Sequence, residues 1–236
     1  MNKVIKRIAA ILIAVTVFFV FVSLTNSALN PKPESKVWDM RTTMGSKDAK
    51  NYYVVYTDIA CPYCTYYSRA IMDHEDEVKQ FPEDNDTLYE VRVTDYIYEA
   101  ADIDYSRTSA EATYCATEEG RFWDYYHAAV KALWDDYQSK GYASSKTAPP
   151  IKGMPDDYWV KIGEKIGLSD QFANCVNNHK QLDKVKNNTT KAISTLQQAS
   201  AGLPYFHFND FSTSGFSDTW GWSEAKEYLD AGLKKQ

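Results

Sequence analysis

Hydrophobic and polar positions change period several times along the chain, and each change marks an element. Residues 8–24 carry no charge at all, followed by the short polar, proline-containing run 31–35. Residues 36–40 have the content of a short edge strand. Aromatic and β-branched residues crowd positions 52–57, which reads as a strand, and residues 88–96 alternate well enough to be another. Between them, residues 65–77 have helical character, which gives a β-α-β unit. From residue 107 to about 201 the spacing becomes helical with almost no strand-like run. Within this block, helices are expected over 109–119 and 121–137 on either side of Gly120, over 156–166 ending at Gly167, from a Ser169 cap to about residue 178, and over 183–201 before Gly202. The loop 140–155, with Gly141, Pro149, Pro150 and Pro155, reads as mobile surface. Strand character returns at 205–209, turn residues run to Gly215, and a last helix covers 223–233. The order predicts an α/β domain interrupted by a helical insertion.

Composition refines this at the N-terminus. Lys3, Lys6 and Arg7 precede the uncharged run and no acid accompanies them. The run exceeds the roughly 7 to 15 residues of a cleaved signal core and approaches the roughly 20 needed to span a bilayer. Residues 25–28 fit a small-x-small cleavage site poorly, so the reading is an uncleaved signal anchor over residues 1–30, with secretion the alternative if it is cut. The basic end stays cytoplasmic and the rest of the chain lies on the extracytoplasmic side. Residues 31–50 form a tether with a possible edge strand, and residues 51–236 one domain with its insertion at about 107–201. The chain carries a net charge of −6, which leaves −9 on the part after residue 30 and argues against nucleic acid.

The chemistry centres on Cys61-Pro62-Tyr63-Cys64, placed directly after a strand and before a helix. Two thiols two residues apart close a small disulfide. The first stands where unpaired backbone N–H groups and the helix dipole favour its thiolate, so Cys61 is the expected nucleophile and Cys64 the more buried resolving thiol. Pro62 suits the first helical turn, where its missing N–H is no loss. The same motif is half of a zinc site, but Cys115 and Cys175 stand far apart and His74, His127, His179 and His207 fall at no ligand spacing. No metal and no cofactor is expected. Asp58, three residues before Cys61, reads as a loop cap rather than a proton relay. Residues 73–77 read as a solvated helix end that includes His74, and Phe122, Trp123, Tyr126, Ala129 and Leu133 as a helical core face.

Three separated segments carry a resemblance to the DsbA-like thiol:disulfide oxidoreductases of the thioredoxin fold, in their membrane-tethered branch. They are Tyr56-Thr57-Asp58-Ile59-Ala60-Cys61-Pro62-Tyr63-Cys64, then Cys115-Ala116-Thr117-Glu118-Glu119-Gly120-Arg121-Phe122-Trp123-Asp124-Tyr125-Tyr126-His127, and Gly202-Leu203-Pro204-Tyr205-Phe206-His207-Phe208-Asn209. The resemblance covers essentially everything after residue 50. It implies a thioredoxin-like fold with a helical insertion, a cis Leu203–Pro204 bond beside the cysteines for pairing with a bound polypeptide, and a second, structural disulfide between Cys115 and Cys175. Two buried free thiols remain the alternative for that pair. Leu203 departs from the Thr or Val common in the family. The implied activity is introduction of disulfides into exported polypeptides with free thiols, with a membrane reoxidant of the DsbB or vitamin K epoxide reductase type as partner. A reductase or isomerase working the same site in reverse, and a non-catalytic polypeptide-binding module, are the alternatives.

Overall fold

The computed structural model describes residues 36–145 and 147–235. The expected anchor, residues 1–30, and the start of the tether lie outside the described residues. Among those described, no helix is long and apolar enough to cross a membrane.

Among the described residues, five strands form one sheet in the order β1-β3-β2-β4-β5. They are β1 (Thr43–Met44), β2 (Asn51–Thr57), β3 (Thr87–Val93), β4 (Tyr205–Phe208) and β5 (Phe211–Ser214). β2 and β3 run parallel, with Tyr53 beside Tyr89 and Thr57 beside Val93, while β1 and β4 pair antiparallel to them at the two sides. All of β3 is buried, and β2 from its second residue onward. Both strands are therefore covered on two faces, as a strand in a layered α/β domain must be. Tyr53, Val55, Tyr89, Val91, Phe206 and Phe208 face one core, which continues into the helical block. Tyr52, Val54, Tyr56 and Leu88 face a second, smaller core that contains both Cys61 and Cys64.

The β2–β3 crossover holds α1 (Pro62–Met72) and α2 (Glu75–Asp84). The expected single helix is broken at Asp73, where the cap N–H returns to the Ile71 carbonyl, and it restarts behind His74 with Glu75, Asp76 and Glu77 in the first turn. His74 stays half-exposed against Trp222. β3 ends at Val93, earlier than its alternation suggests, because Thr94 turns both its N–H and its hydroxyl onto the Thr57 carbonyl. The helical block consequently starts sooner, with α3 (Tyr96–Ala101) and α4 (Asp104–Glu118), and continues through α5 (Phe122–Asp136), α6 (Tyr158–Lys165), α7 (Asp170–Asn177) and α8 (Leu182–Ala199). Ser169 caps α7 as expected, accepting from Gln171 N at 3.2 Å, and is itself fixed by Glu119. Gly163 lets α6 meet α7 closely: a Cβ there would lie 2.1 Å from the Phe172 ring. α9 (Trp222–Lys234) closes the chain over Phe208.

The predicted edge strand at 36–40 is not formed. The Glu90 carboxylate, fully buried on β3, accepts from Trp38 N at 2.7 Å and Asp39 N at 3.2 Å, and so takes the N–H groups a strand would use. Its other oxygen accepts from Tyr52 Oη and from Arg92, whose guanidinium also donates to the Lys36 carbonyl and lies 4.1 Å over the Trp38 ring. A buried ion pair with its remaining hydrogen bonds filled is expensive to disrupt, about 3–5 kcal/mol if one partner is removed. It binds residues 36–39 to the domain, so the tether reading fails from Lys36 onward.

Candidate active site

β2 ends at Thr57 and the chain makes a tight loop before α1. Asp58, fully buried, shapes that loop: one carboxylate oxygen accepts from Ala60 N at 2.8 Å, and the other from Ile97 N at 2.8 Å and Ser106 Oγ at 2.7 Å. The Asp58 carbonyl accepts from Cys61 N at 3.0 Å. Burial pushes the Asp58 carboxyl up to about 6, against the three donors that hold it down. The loop-cap reading of Asp58 holds, and its reach is wider than expected, because it ties the Cys61 loop to α3 and α4.

Cys61 is the N-cap residue of α1, with extended φ −78 and ψ 120, and Pro62 occupies the first helical turn. Cys61 and Cys64 are both free thiols. The Cys61 thiol points at the Leu203 carbonyl, Sγ to O 3.9 Å, across a sequence distance that only the fold brings together. Leu203–Pro204 is cis, as the resemblance implies. Burial pushes the Cys64 thiol well above its usual range, and the neighbouring Cys61 adds to that. The two cysteines are thus unequal in their surroundings: Cys61 lines the groove beside the Leu203 loop and Cys64 lies behind it.

The groove has a volume of about 660 Å³, and among the described residues that line it none carries a charge. Cys61, Pro62 and Tyr63 form its floor, Tyr96, Ile97 and Tyr105 one wall, and Leu203, Gly215 and Phe216 another. Tyr63, 39% exposed, stands at its edge. The loop read as mobile surface also contributes: Ala143, Ser145, Ala148 and Pro150 line the groove. This segment closes on itself through Ala143 N to the Pro149 carbonyl at 2.8 Å. It is held to α1 by Tyr66 Oη on the Ser144 carbonyl at 3.0 Å and buries Ile151. No periodicity announces such a wall, because its contacts are side chain to backbone and fall between unrelated segments.

Cys115 and Cys175 form a disulfide between α4 and α7, with Cα atoms 5.8 Å apart. The alternative of two free thiols is thereby excluded. Of the expected core face on α5, Phe122, Tyr126, Ala129 and Leu133 are buried and Trp123 is partly so.

A family model described as thioredoxin matches residues 38–214. The chain belongs to this thioredoxin family. Solved members of the fold resemble it over most of their length. MdbA from Corynebacterium diphtheriae, a thiol-disulfide oxidoreductase, superposes with a TM-score of 0.57 at 16% identity, covering 83% of this chain and 99% of that one. Wolbachia pipientis α-DsbA1 gives 0.56 at 15% identity over 86% and 96%. Chlamydia trachomatis DsbA gives 0.54 at 13% identity over 85% and 96%. At these identities the likeness speaks for the fold. Among curated protein sequences none matches the chain. The thioredoxin-family frame places β2, α1 and the Leu203–Pro204 loop around one pair of thiols, and the helical block forms part of the groove beside it.

Proposed function

We propose that the protein is a thiol:disulfide oxidoreductase that introduces disulfides into exported polypeptides through a Cys61–Cys64 cycle. The observation that carries the reading is the dithiol itself: a groove-lining Cys61 at a helix N-terminus, its partner Cys64 shut away behind it, and a largely apolar groove running past both the Cys61 thiol and the Leu203 backbone. An extended polypeptide with apolar side chains fits such a surface, because its backbone pairs with exposed loop backbone while side chains fill the walls. In the oxidised form a substrate thiolate attacks Cys61 and forms a mixed disulfide. A second substrate thiolate then attacks the substrate sulfur of that bond, and Cys61 leaves. Two electrons pass from the substrate dithiol to the cysteine pair. No metal or organic cofactor enters the cycle.

The uncharged run behind Lys3, Lys6 and Arg7 supports a membrane anchor with the domain on the extracytoplasmic side. A reoxidant of the DsbB or vitamin K epoxide reductase type follows from the family resemblance. Added protease should reach the domain in intact spheroplasts, and full protection would overturn this placement. The direction of electron flow is tested by equilibrating the full chain in glutathione buffers and trapping the Cys61–Cys64 peptide. A potential near about −120 mV supports the oxidase, and one near about −270 mV makes the protein a reductase.

A further inference from the structure

Beside the groove lies a second cavity that the exchange cycle above does not use. It has a volume of about 590 Å³ and shares Ile103, Tyr105 and Pro150 with the groove, so these three form a common wall. Its lining differs in charge. Asp102, Asp104 and Asp156 line it, all three exposed, and none of them pairs with a cation among the described residues. Asp102 stands in the left-handed turn between α3 and α4, φ 56, and Asp104 opens α4. Arg107 of α4 is held by Asp95 at 2.6 Å and Glu99 at 2.5 Å, and His179, which also lines the cavity, faces the Glu111 carboxylate at 3.2 Å. Lys152 is exposed and outside the lining. Trp159 of α6, 2% exposed, lines the cavity too, and its buried indole N–H has no acceptor among the described residues. Such a donor costs stability until an oxygen fills it. The common wall is fixed relative to Cys61 by Asp58: one oxygen accepts from Ile97 N and Ser106 Oγ, on either side of residues 102–105, and the other from Ala60 N in the Cys61 loop.

We propose that this cavity is a client subsite that takes a lysine or arginine side chain of the polypeptide whose cysteine reacts at Cys61, with Asp102, Asp104 and Asp156 as the counter-charges. The inference rests on the exchange reading above and names the class of client it serves. A chain lying in the groove reaches the cavity across Ile103, Tyr105 and Pro150. The methylenes of a long basic side chain cover that wall while its charged end extends to the acids. A backbone carbonyl of the same segment accepts from the Trp159 N–H. Adjoining cavities of this size are roughly 10 Å across and an extended chain advances about 3.3 Å per residue, which places the basic residue about two to six positions from the reacting cysteine. The three acids are exposed, so the preference they give is modest and sensitive to salt.

The test uses the oxidised full chain in detergent and reduced peptides that carry one dithiol and, at a single varied position, lysine or norleucine. The varied position is moved along about six residues on each side of the dithiol. At one or two neighbouring positions kcat/KM should be about fivefold higher for lysine, the difference lying in KM, as one or two exposed ion pairs give. High salt should shrink that ratio. In the triple variant Asp102→Asn/Asp104→Asn/Asp156→Asn the ratio should fall to about one. It is taken within one protein, so a partly folded preparation still reads it. Trp159→Phe should raise KM for both peptides alike. The proposal is overturned by a lysine preference equal at every position, which is the general field of an acidic domain, by no preference at all, by a ratio that survives the triple variant, or by an unmoved KM in Trp159→Phe. If the wild-type protein oxidises neither peptide, the exchange reading fails. Fluorescence polarisation with labelled peptides carrying serine for cysteine then decides the subsite alone: tighter binding of lysine at particular positions supports it, and equal binding overturns it.

Discussion

The two cysteine pairs are enclosed to nearly the same degree, yet one is a dithiol opening on a groove and the other a closed disulfide. Cys61 and Cys64 are 4% and 1% exposed, and Cys115 and Cys175 1% and 8%. Burial therefore does not separate a reactive pair from a structural one. What differs is where each sulfur is held and what surrounds it. Cys61 starts a helix, faces a carbonyl, and lines a groove whose described lining residues carry no charge. Cys115 and Cys175 lie in the last turns of their helices, 60 residues apart in sequence, beside a cavity whose lining mixes Glu118, Glu119 and Asp170 with Lys180. The first pair can be opened and closed with little movement of the chain. Opening the second releases a long loop.

This contrast breaks most sharply at Cys61. Cys61→Ala should abolish peptide oxidation and leave the thermal midpoint nearly unchanged; residual turnover would mean that Cys64 or the second pair also exchanges. The double variant Cys115→Ala/Cys175→Ala should do the opposite. Releasing a 60-residue separation costs about 4 kcal/mol of stability by chain entropy, read from urea midpoints, while the oxidation rate per folded molecule stays at the wild-type value.

A smaller effect distinguishes the two regions by pH. Asp58 is raised to about 6 when folded, so its contribution to stability is full below its unfolded value near 3.8 and is lost as pH rises through about 6. The loss amounts to about 2–3 kcal/mol. His127 and His207, lowered by burial, work against it in the upper part of this window, and Asp39, held far down by Arg41 and Lys184 against its own burial, acts only below it. Asp58→Asn should therefore remove a falling component between pH 4 and 6.5, visible as the difference between variant and wild-type stability curves. An unchanged difference curve would mean that the carboxyl is ionised throughout. The smallest effect belongs to Tyr63. Tyr63→Ser should change stability by less than about 0.5 kcal/mol while weakening peptide capture, seen as a raised KM. A large stability loss would move Tyr63 from groove edge to core.

The reactive pair was legible because its signals are local. A strand, a proline at the first helical turn and two thiols two residues apart all fall within residues 52–64. The Cys115–Cys175 link and the Leu203–Pro204 loop were reached through the family resemblance, since spacing alone left both open. The edge strand expected at residues 36–40 is absent, and a two-residue one forms instead at Thr43–Met44, because the fate of residues 36–39 is decided by Glu90 and Arg92, some 50 residues away. Alternating charges on a strand look the same whether the face they point to is wet or covered.

The groove wall at Ala143–Pro150 has an evolutionary consequence. The segment is pinned at both ends, by the Ala143–Pro149 backbone bond and by buried Ile151, and it touches the redox helix through one tyrosine hydroxyl on a main-chain oxygen. Its side chains can be exchanged without disturbing the strand, the helix start or the thiols. Client preference in such a molecule can drift by rewriting one short loop, while the electron chemistry is inherited intact.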